Sequence, residues 1–482
     1  MSELFSKQML IGGRLVESVT GQTLDVINPA NEQLVGRVPS GAADDVDRAV
    51  QAAAGAQPDW MATDITERAA LLRSLAHVLE ERQAELTRVE VIDTGNTITK
   101  MRGDVAKAVA QIEYFAGIGL ELKGETVPST ARHLHLTIRE PFGVVGRIVP
   151  FNHPLMFAAA RMAAPLMAGN TIVIKPAEQS PISSCILGEI CADVLPPGVV
   201  NIVTGHGETA GDALVRHPAV KRIGFTGSVA TGLAIQRAAA ETAVKTITLE
   251  LGGKNPCIVF PDTGVDVAVD AAISGMNFAW QGQSCGSTSR LFVHESQYAA
   301  VTAELKKRVE ALRVGDPLDE SSDMGPINSA AHYEKVLSAV AAGQEDGATL
   351  LTGGDRPAGE YFHRGYWIRP TVFVDVKPGM RIFHEEIFGP VLSVVKWSDE
   401  EELIGMVNAT EYGLTAALWT KDVARALRLS RRIRAGYIWI NGVSSHYLGL
   451  PFGGVDNSGI GREEGIEELF SYTQAKALTI HT

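Results

Sequence analysis

The sequence predicts an α/β protein: two doubly wound domains with a small β-ribbon attached. Three observations predict it. Between residues 143 and 250, apolar strand-like runs alternate with helical patterns, as in a parallel sheet covered by helices on both faces. A second α/β pattern runs from Lys254 to about Asn441. Ahead of both, residues 126–139 switch to a two-residue alternation that reads as a half-exposed strand. A chain of 482 residues has room for two large domains and such an appendage.

Taken in order, residues 1–40 read as short strands and turns, around Met9-Leu10-Ile11 and Leu24-Asp25-Val26-Ile27. Residues 43–57 form an alanine-rich helix, and Asp44, Asp45 and Asp47 suit its positive N-terminus. Leu71, Leu72, Leu75, Val78 and Leu79 give residues 66–95 helical spacing, and residues 105–122 form another amphipathic helix. In 126–139, Leu134, Leu136 and Ile138 alternate with His133, His135, Thr137 and Arg139. An open ribbon edge seeks a partner, and the strand-like tail after Phe470 suits it. Strands at 143–149, 170–175, 199–203, 221–226 and 245–250 then alternate with helices at 154–168, 183–195, 209–216 and 229–240. The second pattern has helices at 265–279 and 298–312, and strands at 391–395 and 437–440. Ligands of such sheets bind at the carboxyl ends of the strands.

Composition narrows the function. The net charge of −13 argues against nucleic acid as a partner, because phosphate binding needs a basic face. Four cysteines without CxxC spacing form neither a disulfide framework nor a metal site, which points to a reducing cytoplasm and no metal. The start, Met1-Ser2-Glu3-Leu4-Phe5-Ser6-Lys7, lacks a signal-peptide core. The most apolar stretch, 143–174, is broken by Arg147, Asn152, His153, Pro154, Arg161 and Asn170, so no membrane contact is expected.

Five segments carry candidate chemistry. Cys285 lies in Gly282-Gln283-Ser284-Cys285-Gly286-Ser287, where small residues let a carbonyl approach the sulfur and the backbone. Cys185, Cys191 and Cys257 lie in apolar, core-like runs. Lys175-Pro176-Ala177-Glu178 follows a strand and suits ribose hydroxyls. Gly224-Phe225-Thr226-Gly227-Ser228 turns from strand to helix, where backbone N–H groups hold a pyrophosphate. Glu250 ends an apolar strand beside Gly252 and Gly253, a setting that raises a carboxyl pKa toward that of a general base. Asn152, in Pro150-Phe151-Asn152-His153-Pro154, has an amide that can donate to an oxyanion. Read alone, each has an ordinary alternative: a loop thiol, a solvated loop, a plain turn, an ion-pair carboxylate, a helix cap.

Together these segments resemble the NAD(P)-dependent aldehyde dehydrogenase superfamily along essentially the whole chain. Pro150-Phe151-Asn152, Lys175 to Glu178, Phe225 to Ser228, Leu249 to Lys254 and Gly282 to Cys285 occur in family order. So do Glu385-Glu386-Ile387-Phe388-Gly389-Pro390, Asn441-Gly442, Pro451-Phe452-Gly453-Gly454 and Ser458 to Glu463. The resemblance implies Rossmann-like domains: cofactor binding in 1–122 and 141–250, and catalysis in 251–450. It also implies an oligomerisation element from 123–140 and 470–482, hence a homodimer or homotetramer. It makes Cys285 the nucleophile, Glu250 the base for the deacylating water, and Asn152 the oxyanion donor. It assigns cofactor contacts to Ile148, Pro150, Phe151, Lys175, Glu178, Phe225, Gly227, Ser228, Leu251, Glu386 and Phe388. His153, Met156, Phe157, Arg161, Trp280, His446 and Tyr447 match the substrate tunnel. Two departures stand near the site: Phe151 where many members carry tryptophan, and Arg161 where lysine is common.

The expected reaction oxidises an aldehyde to a carboxylic acid through a thiohemiacetal and a thioester on Cys285. The carboxylate of Glu178 would repel a 2′-phosphate, which favours NAD, with NADP also possible. The aromatic, apolar tunnel set points to a medium-sized hydrophobic or aromatic aldehyde. A carboxylate-bearing semialdehyde near Arg161, or a betaine-aldehyde-like aminoaldehyde held by aromatic rings, is the alternative. A coenzyme A-acylating member and a non-enzymatic, lens-crystallin-like member are rivals, and the presence of Glu250 with Cys285 and Asn152 disfavours both.

Overall fold

The computed structural model describes residues 4–481. Met1, Ser2 and Glu3, and Thr482 of the predicted element 470–482, lie outside the described residues.

The first sheet has eight strands, with five parallel ones at its centre. Their spatial order is Thr246–Glu250, Val220–Thr226, Val144–Ile148, Thr171–Lys175, Val200–Ile202. Chain order runs outward in both directions from Val144–Ile148, so the sheet is doubly wound and its switch point lies beside that strand. Met9–Ile11 adds antiparallel on Val200–Ile202, with Arg14–Val16 beyond it at that edge, and Gly459–Ile460 adds antiparallel at the other edge, on Thr246–Glu250. The latter segment falls outside every domain boundary given above.

The central strands are near-continuous apolar runs because both faces are covered. The helices Pro154–Met167 and Ile182–Val194 pack there, with buried Leu155, Ala159, Met162, Ile186 and Leu187 in one core. The helices Ile65–Glu81 and Ile98–Ile118 join the same core. The pattern over 66–95 is interrupted: Arg82 (φ −92°, ψ 12°) separates Ile65–Glu81 from Gln83–Thr94. No glycine or proline marks that break, so periodicity alone misses it.

The second sheet has seven strands, ordered Thr349–Thr352, Thr371–Val374, Val391–Trp397, Arg290–His294, Pro256–Val259, Thr415–Trp419, Tyr437–Ile440. All pairs are parallel except the one made by Thr349–Thr352. The segment 126–139 is a hairpin, Thr126–Thr130 with His133–Pro141. Thr473–His481 pairs antiparallel with His133–Pro141 along its whole length, as the tail's pattern suggests. Leu134, Leu478 and Ile480 stay exposed on this ribbon.

Candidate active site

At the switch point, sheet register sets three predicted residues side by side: Ile148 pairs with Lys175 on one flank and Phe225 on the other. Lys175 Nζ donates to Glu178 at 2.9 Å. Burial works to raise the Glu178 carboxyl, but the Lys175 charge overcomes it and holds it below its ordinary range. Ser228 caps the helix Val229–Ala240, its hydroxyl accepting from the Thr231 N–H. Gly227 N–H donates to the Glu250 carbonyl at 3.0 Å, and a Cβ on Gly227 would run into the Phe225 ring. Leu251 is buried and its N–H donates to the Ser458 carbonyl.

Pro150 and Phe151 form the turn after Ile148, and Ser180 pins it by donating to the Phe151 carbonyl at 3.0 Å. The Phe151 ring meets Phe388 edge-on, with centroids 5.9 Å apart, and His332 contacts both rings. His332 Nε2 donates to the Phe388 carbonyl at 2.6 Å, and burial drives its pKa down to about 4, so it is neutral. Glu386 accepts from the Gly253 N–H at 2.9 Å, and a Cβ on Gly252 would fall on that carboxylate. Two acidic groups, a helix N-terminus with glycine clearance and an aromatic ring make a donor and acceptor set that fits a dinucleotide.

Cys285 follows a sharply turned loop. Gln281 and Gly282 both have positive φ (52° and 67°), and a Cβ on Gly282 would strike the Gly389 carbonyl. Asn255 Nδ2 fixes the loop by donating to the carbonyls of Cys285 (2.7 Å) and Ser287 (3.0 Å). Cys285 is half-buried, whereas Cys185, Cys191 and Cys257 are buried, as their apolar context implies. Burial pushes the Cys285 thiol up to about 12, helped by the Glu250, Glu386 and Glu464 carboxylates. The resting sulfur is therefore a thiol.

Asn152 is 3% exposed and held at two points. Its carbonyl accepts from Asn96 Nδ2 at 2.9 Å, and its own Nδ2 donates to the Gln283 carbonyl at 2.9 Å, two residues before Cys285. One amide hydrogen remains free on Nδ2. Glu250 is 5% exposed, and neither of its carboxyl oxygens has a hydrogen-bond partner among the described residues. Burial, then the charge of Glu463, push its pKa well above the ordinary carboxylate range.

Cys285 and Glu250 line one cavity of about 250 Å³. Of the predicted tunnel residues, His153, Met156, Phe157, Arg161, Trp280 and His446 also line it. Tyr447 does not: its ring is 77% exposed on the outer side of a loop that holds His446 inward against Phe452. Arg161 lines the cavity without offering a free charge. Its guanidinium is 2% exposed and paired with Glu463 (2.9 Å), Glu464 (3.1 Å) and Glu468 (3.6 Å). Arg147 joins through Glu463 at 2.7 Å. Glu464, Glu468 and His332 escape the sequence reading, which also gives Glu463 no role. A signal for the carboxylates exists, since Arg147 and Arg161 stand in apolar segments and buried arginines need carboxylate partners.

A switch-point groove suited to a dinucleotide, meeting a thiol and a buried carboxylate, defines the class: an oxidoreductase. The comparisons name it further. The profile of the aldehyde dehydrogenase family matches residues 15–478. The chain belongs to that family. It is 45% identical over 476 residues to aldehyde dehydrogenase tropH of Talaromyces stipitatus, covering 97% of this chain and 92% of the relative. Among solved structures it matches PnpE from Pseudomonas sp. WBC-3 with TM-score 0.96 and 42% identity, over 99% of this chain and 98% of that one. PnpE also has a solved complex with nicotinamide adenine dinucleotide. The NAD+ complex of an aldehyde dehydrogenase from Bacillus cereus matches with TM-score 0.96 and 37% identity, over 99% and 97% of the chains.

Proposed function

We propose that this aldehyde dehydrogenase uses NAD to oxidise a medium-sized aldehyde with an apolar or aromatic body to its carboxylic acid. The observation that carries the reading is the shared cavity: Cys285 and Glu250 open onto one space walled by Met156, Phe157 and Trp280. NAD use is supported by Glu178, whose anion opposes a 2′-phosphate, and by the NAD complexes of similar structures.

The Cys285 thiol gives its proton to solvent water as the sulfur bonds to the aldehyde carbon, and the carbonyl oxygen becomes an oxyanion. The free Asn152 amide hydrogen and the Cys285 N–H hold that oxyanion. NAD held beside Glu386 and Phe388 would supply the acceptor for the hydride that the same carbon releases, and Cys285 keeps the acyl group as a thioester. Glu250, unpaired and with a raised pKa, draws a proton from water. The water oxygen bonds to the acyl carbon, the C–S bond breaks, and the acid leaves. Glu178 and Glu386 hold ribose hydroxyls, Gly227 and Ser228 the pyrophosphate, and Phe388 the nicotinamide side.

The carboxylates already bound to Arg161 remove the support for a carboxylate-bearing substrate there. The exposed apolar edge of Leu134, Leu478 and Ile480 supports a homo-oligomer joined through the ribbon. Four unpaired cysteines support a reducing, cytoplasmic location. The test is an NADH-release screen over aliphatic, aromatic, amino- and carboxy-aldehydes. Turnover should be highest with apolar and aromatic ones. Inert benzaldehydes alongside rapid semialdehyde turnover would overturn the substrate reading.

A further inference from the structure

Two imidazoles, each paired with a buried carboxylate, line the cavity that holds Cys285. His446 Nδ1 lies 2.9 Å from Glu464, and His153 Nδ1 lies 2.5 Å from Asp104. Burial would raise the Glu464 carboxyl, but the hydrogen bond and charge of His446 and the Arg161 guanidinium overcome it and hold it near about 2. Glu464 is therefore an anion that only accepts, and His446 Nδ1 is the nitrogen that carries hydrogen. Nε2 is left with hydrogen-bonding capacity and no protein partner among the described residues. His153 is likewise engaged through Nδ1, with Asp104, and its Nε2 has no protein partner among the described residues. Both rings are fixed: His446 stacks on Phe452 with centroids 4.4 Å apart, and His153 packs between Phe157 (5.9 Å) and Trp280 (5.6 Å).

A purely apolar body would leave both Nε2 atoms without a bond once it displaced water, an uncompensated cost. An anionic group is disfavoured, because Glu250, Glu463 and Glu464 line the same cavity and Arg161 is already saturated. A neutral hydroxyl suits an imidazole nitrogen in either protonation state, since it both donates and accepts. Resting on the reading of this cavity as the aldehyde site, we propose that His446 and His153 are specificity-determining residues that hold a hydroxyl group on the substrate body. The preferred class is a hydroxyl-bearing aldehyde.

The experiment compares kcat/KM within two matched pairs: benzaldehyde with 3- and 4-hydroxybenzaldehyde, and hexanal with 6-hydroxyhexanal. The wild-type enzyme should prefer the hydroxylated member of at least one pair by about tenfold, as expected for one satisfied hydrogen bond. His446→Phe, His153→Phe and the double variant should bring that ratio toward one, with the loss in KM more than in kcat. His446→Gln, which keeps an amide, should recover part of it. A wild-type ratio near one in both pairs overturns the proposal. So does an equal loss on both members of each pair, or a preference for 4-carboxybenzaldehyde over the hydroxylated compound. Absence of turnover on every aldehyde counts against the aldehyde-site reading itself, and because each ratio is taken within a pair, inert benzaldehydes leave the hexanal pair to decide.

Discussion

Glu250 and Glu464 are both buried carboxylates lining the same cavity, and their pKa values move in opposite directions. Glu464 accepts from Arg161 and His446 and is held near about 2. Glu250 has no hydrogen-bond partner and is pushed well above the ordinary range. Burial is common to both, so the supply of partners decides. One wall of the cavity is a saturated ionic framework built from Arg147, Arg161, Glu463, Glu464 and Glu468. The rest of the lining holds groups with unspent capacity, the Glu250 carboxyl and the Cys285 thiol, and the Asn152 amide is bonded to the loop just before Cys285. Saturated groups stabilise a structure, and unsaturated ones are available for chemistry.

Mutations at the two walls should therefore differ in kind. Cys285→Ala removes the proposed attacking atom and should lower kcat by at least about 10⁴-fold with little change in melting temperature, read by NADH release and thermal denaturation. Glu250→Gln should keep a first burst of NADH of about one equivalent per site, while steady-state turnover falls by about 10³-fold. An unchanged steady rate would remove Glu250 from the base role. Asn152→Ala should lower kcat by about 10²–10³-fold, with the burst slowed as well, because the role proposed for its amide is at the first oxyanion.

Glu463→Gln should act in the opposite sense, chiefly on stability. It leaves Arg147 and Arg161 short of a carboxylate, a loss of about 3 kcal/mol or more by denaturant titration. It also removes a charge that raises the Glu250 pKa, and Arg161 and Arg147 then lower it further. Glu250 works as an anion, so the acid limb of the steady-state pH profile should move to lower pH. The smallest effect concerns Glu464. Its folded pKa lies below its ordinary value of 4.5, so its stabilisation is complete above that value and is lost as pH falls toward about 2. The loss should be no more than about 3 kcal/mol. Glu464→Gln should be less stable at neutral pH and should lack this part of the acid-induced decline.

Much of the fold was readable because its signals are local. Each central strand of the first sheet is an apolar run ending in a turn, and each flanking helix carries its own periodicity. The break at Arg82 was not readable, because no residue there resists a helix. The saturated wall was hidden for a different reason: Arg161 and Glu464 are 303 residues apart in sequence. An arginine in an apolar helix announces that a carboxylate is needed, but not which one. Tyr447 shows the limit at a single position. It adjoins His446, yet the loop turns one ring against Phe452 and the other to solvent. No regular period fixes side-chain direction in such a loop.

The sequence by itself determined the two doubly wound sheets, the order of the motifs and which cysteine lies outside the apolar core, because hydrophobic period and glycine placement act over a few residues. Only the tertiary structure decided which charges are spent and which are free. Charge state depends on burial and on partners brought from distant strand ends and loops, and those distances exist only once the chain has folded.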